Sequence, residues 1–408
     1  MIFGLAWRNS WRQPRRTILS SLAIAFTSAF LIFMPSLQYG SYISMVENTL
    51  RLFDGYAEIQ QPGYRDNPEI RNSLKIPDGL INDLKNIKNI KTISQRAISF
   101  ALLASNQRSF GAQIVGVQSD SEALVSTIPN NIKQGRFLLN DNSNSNEIVL
   151  GKVLAKNLKV SIGDKVTLLG NGRNGSLAAD SLTVVGIFST GISAMDRLMA
   201  EISLQRFQQT FSMNQQIHSI TLSGTDISSF QDSMKYIYAI ARKNNLVALD
   251  WQQLQPGLMK GILLDISTSL PLYIAMVLVV TFSLLNSVLM SVLERTREFG
   301  VLLSLGMRPS NIAKMIWLET IILIILGLLI GIALGYALTE YYAHVGIHFE
   351  EAQEIFSEYG LPNAMYPQLN WFTLLIGPGI IGLSILASTI FPVMRIYKMQ
   401  PVPAMKAV

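Results

Sequence analysis

Glu294-Arg295-Thr296-Arg297-Glu298-Phe299-Gly300-Val301-Leu302-Leu303-Ser304-Leu305-Gly306-Met307-Arg308-Pro309 separates two long apolar runs, 262–293 and 312–338. Each run exceeds the about 20 mostly apolar residues that a helix needs to cross a bilayer. Arg295, Arg297 and Arg308, with Lys314 just beyond, put the stretch between them on the cytoplasmic side by the positive-inside tendency. Phe299, Leu302, Leu303 and Leu305 recur at near-helical spacing, Gly306 can end a helix in the left-handed conformation, and Pro309 can open the next. The spacing predicts a short amphipathic helix, 294–311, held between two membrane helices. Such a helix is shaped to receive force from a soluble partner, and the same pattern also serves a helix that only closes a tight turn.

The rest of the chain fits this reading. Its 408 residues are 49% hydrophobic and only 15% charged, with a mean hydropathy of +0.31, where soluble domains carry about 25% charged residues. The net charge of +6 gathers at the ends of apolar runs, which argues for membrane topology and against nucleic-acid binding. Without cysteine, the chain has neither a disulfide framework nor a thiolate metal site. Four spans are predicted, at 17–39, 262–293, 312–339 and 370–394, the first a retained helix rather than a cleaved signal peptide. The fourth is expected to be broken at Pro378 and closed at Pro392.

Residues 1–16 form an amphipathic segment, with Trp7 and Trp11 on one face. Between spans one and two, residues 40–260 read as an α+β domain. Strands are expected at 56–60, 98–104, 110–117, 147–150, 165–169, 182–188 and 217–222, and helices at 79–87, 152–158, 204–211 and 228–243. The loop 340–369 is acidic and free of Lys and Arg, so it belongs on the same side as this domain. The tail 395–408 returns to the cytoplasm with the N-terminus.

Within the spans, Ser21, Ala25 and Ala29 make a small-residue stripe, and Gly327, Gly331 and Gly335 a doubled GxxxG; both are close-packing signals. Glu319, two turns into span three, is read as reaching water or pairing with Lys314.

Reaction chemistry is sparse. No GxxxxGK[ST] loop is present, so ATP used by this protein would be hydrolysed by another polypeptide. Residues 170–175, Gly-Asn-Gly-Arg-Asn-Gly, match GxGxxG by letter but lie between two strands, as a hairpin tip does. His344 and His348, with Glu351 nearby, could ligate a metal from one helix face; however, Val345 stands where a zincin needs Glu, and no metal site is assigned. His218 stands alone in a strand.

The opening stretch, as Glu294-Arg295-x-Arg297-Glu298-Phe299-Gly300-Val301-Leu302-x-Ser304-Leu305-Gly306, resembles the coupling helix of FtsX/MacB-type ABC transporter permeases, including the lipoprotein-releasing (LolC/LolE-like) branch. Arg8-Asn9-x-x-Arg12 resembles the N-terminal signature. Glu147-Ile148-Val149-Leu150-Gly151-x-x-Leu154-Ala155, Val160-x-Ile162-Gly163-Asp164 and Val184-Val185-Gly186-Ile187-Phe188 resemble the MacB-like core, and Pro392-x-x-Arg395 with Pro401-Val402-x-Ala404-Met405 the family's ending.

The resemblance implies a type VII architecture in the bacterial inner membrane. Two permeases, identical or paired with a sister subunit, stand on an ATPase dimer that alone holds ATP and Mg. Glu294, Arg295, Arg297, Glu298, Phe299, Gly300, Leu303 and Gly306 would form the ATPase-coupling site, and this chain itself would need no cofactor. In the lipoprotein-releasing branch a lipidated protein enters between spans one and two of facing permeases and passes to a periplasmic acceptor. Such extraction must be driven, because each acyl CH₂ costs about 0.8 kcal/mol to withdraw. By position, Ser21, Ala25 and Ala29 of span one and Met276, Phe282 and Asn286 of span two are candidates for the substrate or dimer interface. The alternatives are MacB-like efflux, whose members carry an N-terminal ATPase that this sequence does not show, and FtsX-like signalling to a cell-wall hydrolase, whose outer domain is generally smaller.

Overall fold

The computed structural model describes residues 2–139, 145–348 and 364–398. They form two units, one made of residues 2–42, 261–348 and 364–398, the other of residues 43–260.

The first unit is a helical bundle. An N-terminal helix, Ile2–Ser10, precedes four helices long and apolar enough to cross a membrane: span one (Pro14–Leu52), span two (Pro256–Glu294), span three (Pro309–Val345) and span four (Trp371–Tyr397). Spans one and two have 39 residues each, about twice what the bilayer core requires. Span four runs unbroken through Pro378 and Pro392, contrary to the sequence expectation. A prolyl residue inside a membrane helix is tolerated where neighbouring helices satisfy the backbone it frees, and both prolines are buried against the bundle.

The bundle is organised by a glycine ridge. A Cβ added at Gly327 would lie 2.6 Å from Ile24 Cβ, one at Gly331 2.6 Å from Ser28 Cβ and 2.7 Å from the Ala25 carbonyl, and one at Gly335 3.1 Å from Ala29 Cα. Without side chains at these positions, span three lies directly on span one. Ser21, Ala25 and Ala29 are therefore buried, Ala25 to 1% exposure, against the chain's own third span. This corrects the sequence expectation: the face proposed for a facing permease or a cargo is already occupied.

The second unit carries a ten-stranded mixed sheet of β1 (Ala57–Gln60), β2 (Ile90–Ala104), β3 (Ser109–Val117), β4 (Ile132–Gly135), β5 (Glu147–Gly151), β6 (Lys165–Asn171), β7 (Leu177–Phe188), β8 (Met199–Ser203), β9 (Ser219–Gly224) and β10 (Val247–Asp250). Their order is β10-β1-β9-β2-β3-β8-β5-β7-β4, with β6 paired to β2 and β7. The parallel pairs are β3 with β8 and β5 with β7. Residues 172–176 close the β6–β7 hairpin, Gly175 taking φ +83°. The helix expected at 228–243 is two, Ile227–Gln231, capped by the Asp226 carboxylate on the Ser229 amide at 2.8 Å, and Met234–Lys243.

The core of this unit contains charge. Arg96 and Glu122, both fully buried, form a pair at 2.5 and 3.1 Å, while a third N–H of the same guanidinium donates to the Phe53 carbonyl. Glu201 is buried beside them, with neither carboxylate oxygen hydrogen-bonded. Burial and the Glu122 charge push its pKa well up, against the opposing Arg96.

Candidate coupling site

Span two ends at Glu294, and the chain turns at Arg295 into a nine-residue connector helix, Thr296–Ser304. Its end is closed by Gly306 at φ +90°, with the Met307 amide on the Leu302 carbonyl (3.0 Å) and the Gly306 amide on the Leu303 carbonyl (3.1 Å). These paired bonds satisfy carbonyls that a helix end otherwise leaves free. Pro309 opens span three, where its missing N–H costs nothing.

The connector's inner face is sealed. Phe299 is 1% exposed and sits with Val292, Ile316, Val393, Ile396 and Ala6 in one apolar cluster. Gly300 is buried as well, and Leu302, Leu303 and Met307 pack on the same cluster. Arg297, Val301, Ser304, Leu305 and Gly306 face outward, Leu305 at 78% exposure. Of the eight predicted coupling residues, Phe299 and Gly300 therefore shape the connector from inside, while Arg297 and Gly306 lie on its exposed side.

A polar network binds this helix to the rest of the bundle. Arg295 Nη1 donates to both Glu319 oxygens at 3.0 Å, its Nε approaches Glu298 at 3.4 Å, and the guanidinium lies 5.0 Å from the Phe299 ring centroid. Asn9 Nδ2 donates to Glu319 Oε1 at 3.0 Å. Arg12 donates to Glu298 at 2.7 Å, while Gln13 donates to Glu294 at 3.2 Å and Arg16 pairs with it at 3.6 Å. The network lines a cleft of about 270 Å³ with Ser20 and Ser287. Three carboxylates thus meet three guanidiniums and two amides drawn from three stretches far apart in sequence, 9–16, 294–298 and 319. Glu319 pairs with Arg295, where the sequence reading has it reaching water or pairing with Lys314.

The sequence reading missed that Asn9, Arg12, Gln13 and Arg16 complete this site. The available signal was four basic residues just before span one, Arg8, Arg12, Arg15 and Arg16, set against the carboxylates Glu294 and Glu298 where span two ends. On span two, Met276 is half-buried, while Phe282 and Asn286 are exposed. His344 contacts Glu340 at 3.2 Å, Glu351 lies outside the described residues, and no cluster of three or more His, Asp or Glu able to hold a metal occurs among those described.

Four membrane-crossing helices, with a large mixed domain inserted between the first and second and a short helix clamped between the second and third, define a multi-pass membrane protein. Residues 17–238 match the MacB-like periplasmic core domain, and residues 272–401 the FtsX-like permease C-terminal family. The chain belongs to the FtsX/MacB/LolC family of ABC transporter permeases.

It is 24% identical to the lipoprotein-releasing system transmembrane protein LolC of Neisseria meningitidis serogroup B, covering 96% of this chain and 94% of that one. It is 24% identical to LolE of Haemophilus influenzae, covering 98% and 97%, and 44% identical over 62 residues to the macrolide export protein MacB of Psychrobacter cryohalolentis, covering 15% and 9%. Among solved structures it is similar to the periplasmic region of MacB from Actinobacillus actinomycetemcomitans, at 16% identity and a TM-score of 0.37 over 51% of this chain and 93% of that one.

Proposed function

We propose that this permease subunit takes its drive from an ABC ATPase dimer, a separate polypeptide holding ATP and Mg, through the outward face of the connector helix. It uses that drive to release a lipid-anchored protein from the inner membrane. The observation that carries the coupling role is the network around Arg295 and Glu319, because a push on the connector is delivered at once to span three and, through Arg12, Gln13 and Arg16, to the start of span one. The choice of cargo rests on likeness along nearly the whole chain to LolC and LolE. The connector and both termini then lie in the cytoplasm, and a second copy or a sister permease completes the transporter, with a periplasmic acceptor receiving the cargo.

The test is Leu305→Glu in the permease reconstituted with its ATPase. Leu305 is exposed, so folding should be unaffected while permease-stimulated hydrolysis and cargo release both fall. Stimulation unchanged by Leu305→Glu and by Arg297→Glu would remove the connector from the coupling role. A wild-type complex with normal permease-stimulated hydrolysis that releases no lipoprotein would leave coupling intact and refute the cargo.

A further inference from the structure

The half of the bundle remote from the connector contains a groove of about 450 Å³ between spans one, two and four. Leu31, Val277, Leu278, Phe372, Ile376 and Ile380 form most of its wall, which is nearly all apolar. Hydroxyls enter it from Thr373, Ser384 and Tyr273, and the Tyr273 hydroxyl donates to Gln38 Oε1 at 2.6 Å. From Gln38 the amide N–H groups reach Ser269 Oγ at 2.7 Å and Asp265 Oδ2 at 3.2 Å, and the Tyr42 hydroxyl donates to the same Asp265 oxygen. An acyl-sized groove thus ends beside an exposed carboxylate. Both hydrogen bonds fall on Oδ2, and among the described residues no cation pairs with Asp265.

An exposed carboxylate on a membrane helix beyond its apolar stretch is open to a cationic partner from the headgroup layer. Here two neutral donors fix the carboxylate, and no cation among the described residues answers it. The groove beside it, with its apolar wall, suits a hydrocarbon chain. We propose that it seats a membrane aminophospholipid, with one acyl chain between spans one, two and four and its primary ammonium on Asp265. An anionic headgroup would meet Asp265 as a like charge, whereas an ammonium gains a charge-assisted hydrogen bond. The site goes beyond the release reaction and does not depend on the identity of the cargo. It lies on the Leu270–Ile274–Val277 face of span two, away from Phe282 and Asn286 nearer the connector.

The experiment is native mass spectrometry of the detergent-purified full chain, exposed to equal amounts of phosphatidylethanolamine and phosphatidylglycerol with the same acyl chains. Wild type should retain one phosphatidylethanolamine with about a tenfold preference, equal to 1.4 kcal/mol. Asp265→Asn, which keeps acceptors for Tyr42 and Gln38, should abolish the preference; Asp265→Glu should keep it; Ile380→Trp, filling the groove, should reduce retention of both lipids. Equal retention by wild type, or a preference that survives Asp265→Asn, overturns the assignment. Photo-crosslinking from Ile376 in native membranes that captures a lipidated protein instead of phospholipid would give the groove to cargo and likewise overturn it.

Discussion

Replacing Glu319 by Gln keeps the shape of the side chain and removes its charge. Arg295 then loses an ionic partner that it holds through two 3.0 Å contacts, with side chains only 16% and 14% exposed. Hydrogen bonds to charged groups contribute roughly 1.5–3 kcal/mol, and breaking a fully buried pair costs about 3–5 kcal/mol. The remaining exposure and the Glu298 carboxylate, 3.4 Å away, relieve part of this, so a loss near 2 kcal/mol is expected. The neighbouring Arg12–Glu298 pair gives an internal control. It is shorter, at 2.7 Å, but its side chains are 63% and 43% exposed, and such pairs contribute about 0–1 kcal/mol. Denaturation of the purified permease in detergent should therefore separate Glu319→Gln clearly from Arg12→Ala. In the reconstituted complex Glu319→Gln should also lower permease-stimulated ATP hydrolysis, with hydrolysis by the isolated ATPase unchanged. The reasoning fails if Glu319→Gln is as stable and as active as wild type, or if Arg12→Ala costs as much.

Gly331→Ala sets two effects against each other: alanine favours a helix by about 1 kcal/mol, yet its Cβ would meet the Ser28 Cβ and the Ala25 carbonyl at 2.6 and 2.7 Å, and overpacking costs about 1–3 kcal/mol. The variant should lose stability in the same denaturation assay, whereas Gly379→Ala, where nothing lies within 4 Å, should gain. In the inserted domain His218 accepts the Ile98 amide at Nδ1 (2.9 Å), sits 3.2 Å through Nε2 from the Ile70 carbonyl, and burial lowers its pKa from 6.5 to about 4. Because the folded state refuses a proton that the unfolded chain takes, this contribution is present above about pH 6.5 and lost as pH falls toward 4; the stability of wild type relative to His218→Asn should fall by roughly 3 kcal/mol as pH is lowered across that window. Glu58, raised by burial to about 7, has the opposite sign, with stability present below about pH 4.5 and lost as pH rises through 7, so the corresponding difference for Glu58→Gln should change in the reverse direction.

The connector was legible because its signals are local. Gly306 and Pro309 mark its ends, and Phe299 with Leu302 and Leu303 marks the buried face. The partners that give it consequence were not, because pairing across hundreds of residues leaves no spacing to read. Lys314, five residues from Glu319, looked like the natural counterion, but the turn at Arg295 brings a guanidinium from the preceding helix closer. The same limit hid β8, whose Glu201 interrupts an apolar pattern while being fully buried. It also separated the Ser21–Ala25–Ala29 stripe from the glycine ridge: each half announced close packing, and neither named the other.

That pairing decides where span one is free to meet another molecule. Its small-residue face is covered by span three, while Leu19, Leu22 and Phe26 are exposed, at 68%, 52% and 67%. In lipid, apolar exposure by itself drives no association, so exposure establishes access and nothing more. Access is what a cysteine reports, and the chain has none of its own. A single cysteine at Phe26 should form a disulfide with its counterpart in a second permease, or react with a thiol-directed probe in the membrane, while one at Ala25 should stay inert in the resting complex. If the cysteine at Ala25 reacts as readily as the one at Phe26, span three must leave span one in the working transporter, and the glycine ridge would be a moving contact instead of a fixed one.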